Sequence, residues 1–284
     1  MDLEAIFKPV SDELELVEQE LKTATARMAD AQVHPGSLGI LPGIVKHPFA
    51  VPGKRIRPAL VLLASRAVDG AFPREPLIKL AAAVEVLHAA SLVHDDIIDS
   101  AELRRHQVSL NKRFGNRVAV LAGDILYTHF FSLITGLPSV SAEGRFAILN
   151  LFLETTKSMC IGEIMAQEAA ASSSPLPFKD YVEISSDKTA SLFAACCEAA
   201  GMVVGAGEAQ MRSLKDYGLS FGLTFQMMDD LVDRDHGLDP SVDLYSEAQS
   251  CAHKARGMAG NFPRGEDRER FVELVNYVIE QSIA

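Results

Sequence analysis

The chain has 284 residues, 48% of them hydrophobic and 23% charged, with 19 Gly, 13 Pro and no Trp, which excludes a disordered, collagen-like or low-complexity protein. Its length suits one large domain or two small ones. The net charge of −11, from 38 acidic against 27 basic residues, disfavours binding a nucleic-acid backbone over a broad face, while leaving room for a local basic pocket.

The first 22 residues, MDLEAIFKPVSDELELVEQELK, are acidic and amphipathic and lack the basic-then-apolar order of a signal peptide. Over 11–31, Leu14, Leu16, Val17 and Leu21 recur at helical spacing. Helical patterns follow at roughly 57–69, 76–99, 116–135, 143–169, 178–205, 208–235, 243–260 and 265–282. Gly and Pro punctuate them in HPFAVPGK, DGAFPRE, TGLPS, ASSSPLP, DHGLDP and NFPRG. Val/Ile/Thr alternation of period two is nearly absent, so no sheet is expected. Ala-rich windows such as AAAVEVLHAASLV predict closely packed helices buried on most sides. With no fixed-period repeat and no linker, the expectation is one all-α domain over 1–284, of about ten helices. Cys160, Cys196, Cys197 and Cys251 form no CxxC pair, and two of them, Cys196 and Cys197, are adjacent in an apolar run, which suits buried thiols of a reducing compartment better than a disulfide framework. Glu85, His88 and His94 interrupt the best apolar run before the ~18 residues of a membrane span. A cytoplasmic protein without an integral membrane segment is therefore expected.

Two aspartate clusters stand out. One helix runs into Asp95-Asp96-Ile97-Ile98-Asp99 and another into Asp229-Asp230-Leu231-Val232-Asp233, both reading DDxxD. At ~100° per residue, the first and fifth positions lie ~40° apart, one turn along the helix. Asp95 with Asp99, and Asp229 with Asp233, can each present two carboxylates on one face, where like charges repel unless a cation sits between them. One such cluster reads equally well as an acidic helix end at solvent. Two copies, each after a run too apolar to be exposed, favour a site. Oxygen-only donors favour Mg²⁺ over Zn²⁺, and Mg²⁺ completes its shell with water and substrate phosphate. Cations are at hand in Gly53-Lys54-Arg55-Ile56-Arg57-Pro58 and in Arg104-Arg105, although a basic pair at a helix end is more often a solvated surface. Lys188-Thr189 and Gln226 lie in apolar context, with Gln226 on the Asp229 face. His88 sits two turns before Asp95, as a packed core residue or a pocket wall.

Six segments in order, GKRIRP, EVLHAASLVHDDIIDSAELRR, VLAGDILYTHFF, GEIMAQE, SDKTASLF and FQMMDDLVD, resemble the trans-type polyprenyl diphosphate synthases over about residues 40–235, on the side of the medium- and long-chain members. The resemblance implies a helical bundle around a deep cavity, with the two clusters facing each other at its mouth. It implies a Mg²⁺-dependent enzyme that condenses isopentenyl diphosphate with an allylic prenyl diphosphate, acting as a homodimer. Carried over by position, Asp95, Asp99, Asp229 and Asp233 would hold Mg²⁺, with Asp96 and Asp230 supporting. Arg104, Lys188, Thr189 and Gln226 would meet the allylic diphosphate, and Lys54, Arg57, His88 and Arg105 that of isopentenyl diphosphate.

Ala90 and Ser91, about one turn below Asp95, are small where early-stopping members carry an aromatic, so the resemblance favours a long product. Phe131 is the candidate for a deeper floor, although Phe130 and Phe131 read equally as core aromatics. The sequence departs from the family in two places. The lysine-bearing loop expected after Asp233 is shortened over about 234–245, with Arg234 the candidate substitute, and His106 stands where a Gly usually follows the Arg pair. Alternatives are a short-chain synthase, a cyclase or hydrolase of the allylic cation, and a non-catalytic subunit of a heteromeric synthase.

Overall fold

The computed structural model describes residues 2–30, 39–68, 72–233 and 237–281. Its helices, in chain order, are α1 (Leu3–Phe7), α2 (Ser11–Asp30), α3 (Leu41–Lys46), α4 (Ile56–Ala67), α5 (Arg74–Ile98), α6 (Leu110–Phe114), α7 (Asn116–Thr135), α8 (Ala142–Ala170), α9 (Phe178–Ser185), α10 (Ser191–Val204), α11 (Glu208–Asp233), α12 (Leu244–Ala259) and α13 (Glu266–Gln281). The all-α expectation holds, and the long helices start and stop within about two residues of the predicted bounds. Predicted ends at 31, 69, 235 and 282, and Arg234, lie outside the described residues.

Two local features differ from the sequence reading. Leu103–Arg104 (β1) and Gln107–Val108 (β2) pair as an antiparallel ribbon, too short to leave a period-two signal. The helix expected over 178–205 is broken by a π-helical turn at Ser186–Ala190, between α9 and α10.

Contacts divide the chain into two compact units: Met1–Ser11 with Leu60–Pro73 and Ser141–Ala284, and Asp12–Ala59 with Arg74–Val140. In the first, α11 packs on α10 and α12. Gly218 and Gly222 let the backbones of α10 and α11 close together. A Cβ on Gly218 would lie 2.6 Å from the Ala194 Cα, and one on Gly222 would lie 2.6 Å from the Ala190 Cα. Phe193, Tyr217, Phe221 and Phe271 fill the interior without solvent contact. The Tyr217 ring meets Phe271 edge-on at 4.2 Å, and its buried hydroxyl donates to the Phe271 carbonyl at 2.9 Å.

In the second unit α5 is the buried element. Pro76 and Glu75 in its first turn suit a helix start, and from Leu77 to Val93 its Ala, Leu and Val side chains are almost all buried. α7 packs alongside, with Gly123 under the His94 ring, where a Cβ would come within 2.1 Å of Nε2. Counting uninterrupted apolar residues excluded a membrane-length segment. That expectation is corrected: averaged over 18 residues, both α5 and α7 are long and apolar enough to cross a membrane. Single Glu and His residues dilute such a window without breaking it. The α5 window is 78% buried within the protein and the α7 window 39%. No disulfide joins the cysteines; Cys196, Cys197 and Cys251 are buried, and Cys160 is exposed.

Gly222→Val is expected to cost about 1–3 kcal/mol, because backbone cannot yield as a side chain can. Gly257→Ala in α12, where an added Cβ meets nothing within 4 Å, is expected to stabilise by about 0.5–1 kcal/mol. Urea unfolding followed by circular dichroism reads both. A Gly222→Val protein as stable as its parent would show that α10 and α11 do not depend on that close approach.

Candidate functional site

The buried run of α5 ends where its acidic turn begins. Asp96 is 4% exposed and accepts from Nε of Arg104, on β1, at 2.8 Å. Asp95 is half-buried and Asp99 exposed, one turn apart, with the Asp99 N–H donating to the Asp95 carbonyl at 2.8 Å. The last carbonyls of α5 need partners beyond the helix. Asn111 Nδ2 donates to the Asp96 and Ala101 carbonyls, at 3.0 and 3.1 Å, and the Ser109 hydroxyl donates to Ala101 at 2.6 Å. The acidic turn is thereby fixed at its backbone and at its middle carboxylate.

A basic cluster lies in the same unit. Arg55, just before α4, has a left-handed backbone (φ 55°), and its guanidinium bonds both Glu18 of α2 and the buried Glu85 of α5. Burial works against the Arg55 charge, but the two carboxylates outweigh it and hold its pKa above the ordinary value. Arg57 Nη1 lies 3.1 Å from His88 Nε2. Burial first, then Arg57, Arg105, Arg104 and Arg55, push the His88 pKa well below the ordinary histidine value, so the ring is neutral. Because arginine can only donate, Nε2 accepts and Nδ1 carries the proton.

Arg105 and His106 form the two-residue turn between β1 and β2, both left-handed at φ 50° and 63°. This is type I′ geometry, which ordinarily selects Gly or Asn and strains bulkier residues. His47 Nε2, 2.8 Å from the Val108 carbonyl, ties the ribbon down. Arg105 Nη1 donates to the Val51 carbonyl at 3.1 Å, and its guanidinium fills the space that a Gly53 Cβ would occupy. Burial lowers the Arg105 pKa; Glu85 opposes this and Arg55 and Arg104 add to it. Among the described residues Arg105 makes no ion pair. Lys54 is exposed. His88, Arg104, Arg105, Glu85 and Asp96 line a cavity of about 30 Å³, room for water.

The second acidic turn lies in the other unit and follows the same scheme. Asp230 accepts from the Tyr181 hydroxyl at 2.5 Å and from Gln226 Nε2 at 2.8 Å, while Asp229 and Asp233 are exposed. Gln226 Oε1 accepts from the Thr189 hydroxyl at 2.8 Å, completing a relay from the π-helical turn to α11. Burial and the Asp230 charge raise the Tyr181 pKa, so its hydroxyl keeps the proton it donates. Lys188 Nζ pairs with Glu163 of α8 at 2.6 Å, and Gln167 Nε2 donates to the other Glu163 oxygen at 2.9 Å. Gly162 admits the π-helical turn, since a Cβ there would lie 2.4 Å from the Lys188 nitrogen. Lys188, Thr189, Gln226, Asp230 and Tyr181 line a cavity of about 560 Å³, within the range of small-molecule sites. Gly237 lines it too, where the segment after α11 bonds Leu176: Leu176 N donates to the Gly237 carbonyl at 2.8 Å, and Asp239 N to the Leu176 carbonyl at 3.1 Å.

The structure thus gathers His88, Arg104, Arg105 and Asp96 around one cavity, with Arg57 against His88, and Lys188, Thr189, Gln226 and Asp230 around another. Arg104 is engaged by Asp96. Among the chain-length candidates, Ala90 is buried, the Ser91 hydroxyl bonds the His88 carbonyl at 2.9 Å, and half-buried Phe131 leans on the core ring of Phe130. Sequence reasoning overlooked Glu18, Glu85, Asn111, Glu163 and Tyr181. An acid embedded in EVLHAA and another in GEIMAQE were signals, because a carboxylate on an apolar face needs a partner. Among the described residues no three His, Cys, Asp or Glu side chains converge as a metal cage. Each acidic turn instead offers two oxygen donors a turn apart. That fits a hard divalent cation whose remaining ligands are water and phosphate.

The sequence profile of the Polyprenyl synthetase family matches residues 39–236. A "Prenyl transferase" of Synechocystis sp. is 37% identical over 231 residues, covering 81% of this chain and 66% of its own length. Octaprenyl diphosphate synthase of Escherichia coli is 34% identical over 181 residues, covering 64% and 53%. The chain spans about half to two thirds of the length of these curated relatives. Among solved structures, a polyprenyl synthase from Caulobacter crescentus, complexed with calcium and isoprenyl diphosphate, superposes with a TM-score of 0.83 at 25% identity, covering 98% of this chain and 97% of that one. Matched over more than half its length, and with the same all-helical fold, the chain belongs to the polyprenyl synthetase family.

Proposed function

We propose that the protein is a Mg²⁺-dependent prenyltransferase that condenses isopentenyl diphosphate with an allylic prenyl diphosphate to give a medium- or long-chain polyprenyl diphosphate. The observation that carries this reading is the shared design of the two acidic turns. In each, the middle aspartate is held by protein groups, Arg104 for Asp96 and Tyr181 with Gln226 for Asp230, while the outer two lie a turn apart. A calcium and isoprenyl diphosphate complex of a similar structure supports the reading, as does the octaprenyl synthase among the relatives.

On this reading Asp95 with Asp99, and Asp229 with Asp233, bind Mg²⁺ together with the allylic diphosphate. Bound Mg²⁺ supplies positive charge to the departing diphosphate. Lys188, Thr189, Gln226 and Arg104 orient that substrate. Lys54, Arg57, Arg105 and the Nδ1–H of His88 bind the diphosphate of isopentenyl diphosphate. Arg105 suits this role best, as an arginine with arginine neighbours and no ion pair among the described residues. Apolar walls keep water from the allylic cation.

The same proposal covers one cooperative domain, a cytoplasmic location consistent with unbridged cysteines, and a homodimer. The dimer would cover Phe146, Leu153, Ile161 and Ile164, apolar residues of α8 that are 43–63% exposed. The short segment between Asp233 and α12 favours one second reading, a subunit needing a partner for turnover.

With Mg²⁺, isopentenyl diphosphate and farnesyl diphosphate, the purified protein is expected to release diphosphate and form longer prenyl chains. No turnover alone, with turnover restored by a partner synthase, would replace the proposal with the subunit reading. Asp95→Ala and Asp229→Ala are each expected to reduce turnover by roughly a hundredfold or more at unchanged helicity. Unchanged turnover removes the metal assignment. Chromatography of the products should find shorter chains from Ala90→Phe; identical chains would show that α5 does not limit growth at that depth.

A further inference from the structure

The loop from Val51 to Arg55 carries Lys54 and leads directly into the turn of α4 that carries Arg57, yet it has no helix or strand of its own. Its last residue, Arg55, is left-handed at φ 55° while its carbonyl already accepts from the Ala59 N–H at 3.0 Å. The loop therefore enters α4 through a conformation that an arginine adopts only when something holds it. The holding group is on the page: the Arg55 guanidinium is gripped by Glu85, 4% exposed on α5, and by Glu18 on α2.

Glu85 lies one helical turn before His88, and His88 itself contacts Arg57. One face of α5 thus seizes the start of α4 twice, through Glu85–Arg55 and through His88–Arg57. The same loop sets Arg105, which rests on Gly53 and donates to Val51. Of the five non-glycine residues with positive φ among the described residues, Arg55, Arg105 and His106 all belong to this loop or to the turn resting on it. Strain gathered at one place is characteristic of a positioned site. Stability alone does not explain a buried ion pair here, because well-packed apolar side chains commonly do as well or better.

We propose that Glu85 is a positioning residue which, through Arg55, fixes the Val51–Arg55 loop so that Arg57, His88 and Arg105 converge on the diphosphate of isopentenyl diphosphate. Glu85 does not touch the substrate; it acts on it through Arg55. The inference rests on the preceding reading of this basic cluster as a diphosphate site.

The test is calorimetric titration of the full-length protein with isopentenyl diphosphate, and separately with farnesyl diphosphate and Mg²⁺. Glu85→Gln is expected to raise the Kd for isopentenyl diphosphate by roughly tenfold to a hundredfold, as misplaced binding groups do, and to leave farnesyl diphosphate binding unchanged. Should Glu85→Gln fail to fold, Arg55→Gly makes the same test, because glycine accepts the left-handed backbone while removing the grip. A folded variant that binds isopentenyl diphosphate as tightly as the parent overturns the inference, and so does equal weakening of both ligands. A parent protein that binds no isopentenyl diphosphate removes the functional reading and this inference together. Parent binding that neither variant weakens removes the inference alone.

Discussion

Three carboxylates within five residues of one helix repel one another, and both acidic turns of this protein are organised around that constraint. A like-charged pair one turn apart costs a helix about a few tenths of a kcal/mol, and any carboxylate drawn into the interior must be partnered. The solution is the same at the ends of α5 and α11, although the partners are chemically unlike. At α5 a guanidinium takes the buried Asp96; at α11 a phenol and an amide take Asp230. With the middle group held, the outer two stand one turn apart at each helix end, Asp99, Asp229 and Asp233 exposed and Asp95 half-buried. The local backbone serves this end, with Asn111 bonding the Asp96 carbonyl in the last turn of α5 and Ser109 holding the Ala101 carbonyl just beyond it.

The basic cluster is organised by the opposite problem. Four arginines crowd one histidine, and two of them, Arg55 and Arg104, have carboxylate partners in Glu85 and Asp96. The neutral His88 is a consequence of this crowding, because burial and positive neighbours both oppose its protonation. An anion entering such a site finds donors already desolvated and oriented, which raises the value of each contact. Left-handed Arg55, Arg105 and His106 are the local price of that orientation.

Much of the fold was legible because long amphipathic or apolar helices announce themselves through spacing, and Gly–Pro punctuation marks their ends. The aspartates, the Arg pair, Lys188 and Gln226 were legible for a similar reason, being polar groups in apolar surroundings or in repeated motifs. The β1–β2 ribbon was hidden by its shortness: its turn is Arg105-His106 rather than Asn-Gly, so no hairpin signal exists to read. The partners Glu85, Glu163 and Tyr181 were hidden because each acts across a tertiary contact. Glu163 and Lys188 are far apart in sequence, and only the close packing of α8 against the π-helical turn at Gly162 brings them together. Averaged hydropathy and uninterrupted length likewise disagreed over α5, since isolated charges weigh little in an average yet break a run.

The wide turn at Ser186–Ala190 has a geometric consequence for the residues it carries. An α-helix advances about 100° per residue, so a turn that closes on the fifth residue instead of the fourth shifts the angular phase of everything downstream. Lys188 and Thr189 are neighbours in sequence, yet one reaches back to α8 and the other across to α11. Because the wide turn takes up one extra residue, removing a single residue here would restore a regular α-turn and leave α10 nearly in its present phase with α9. A one-codon deletion would therefore erase the divergence of lysine and threonine while leaving the flanking helices in place.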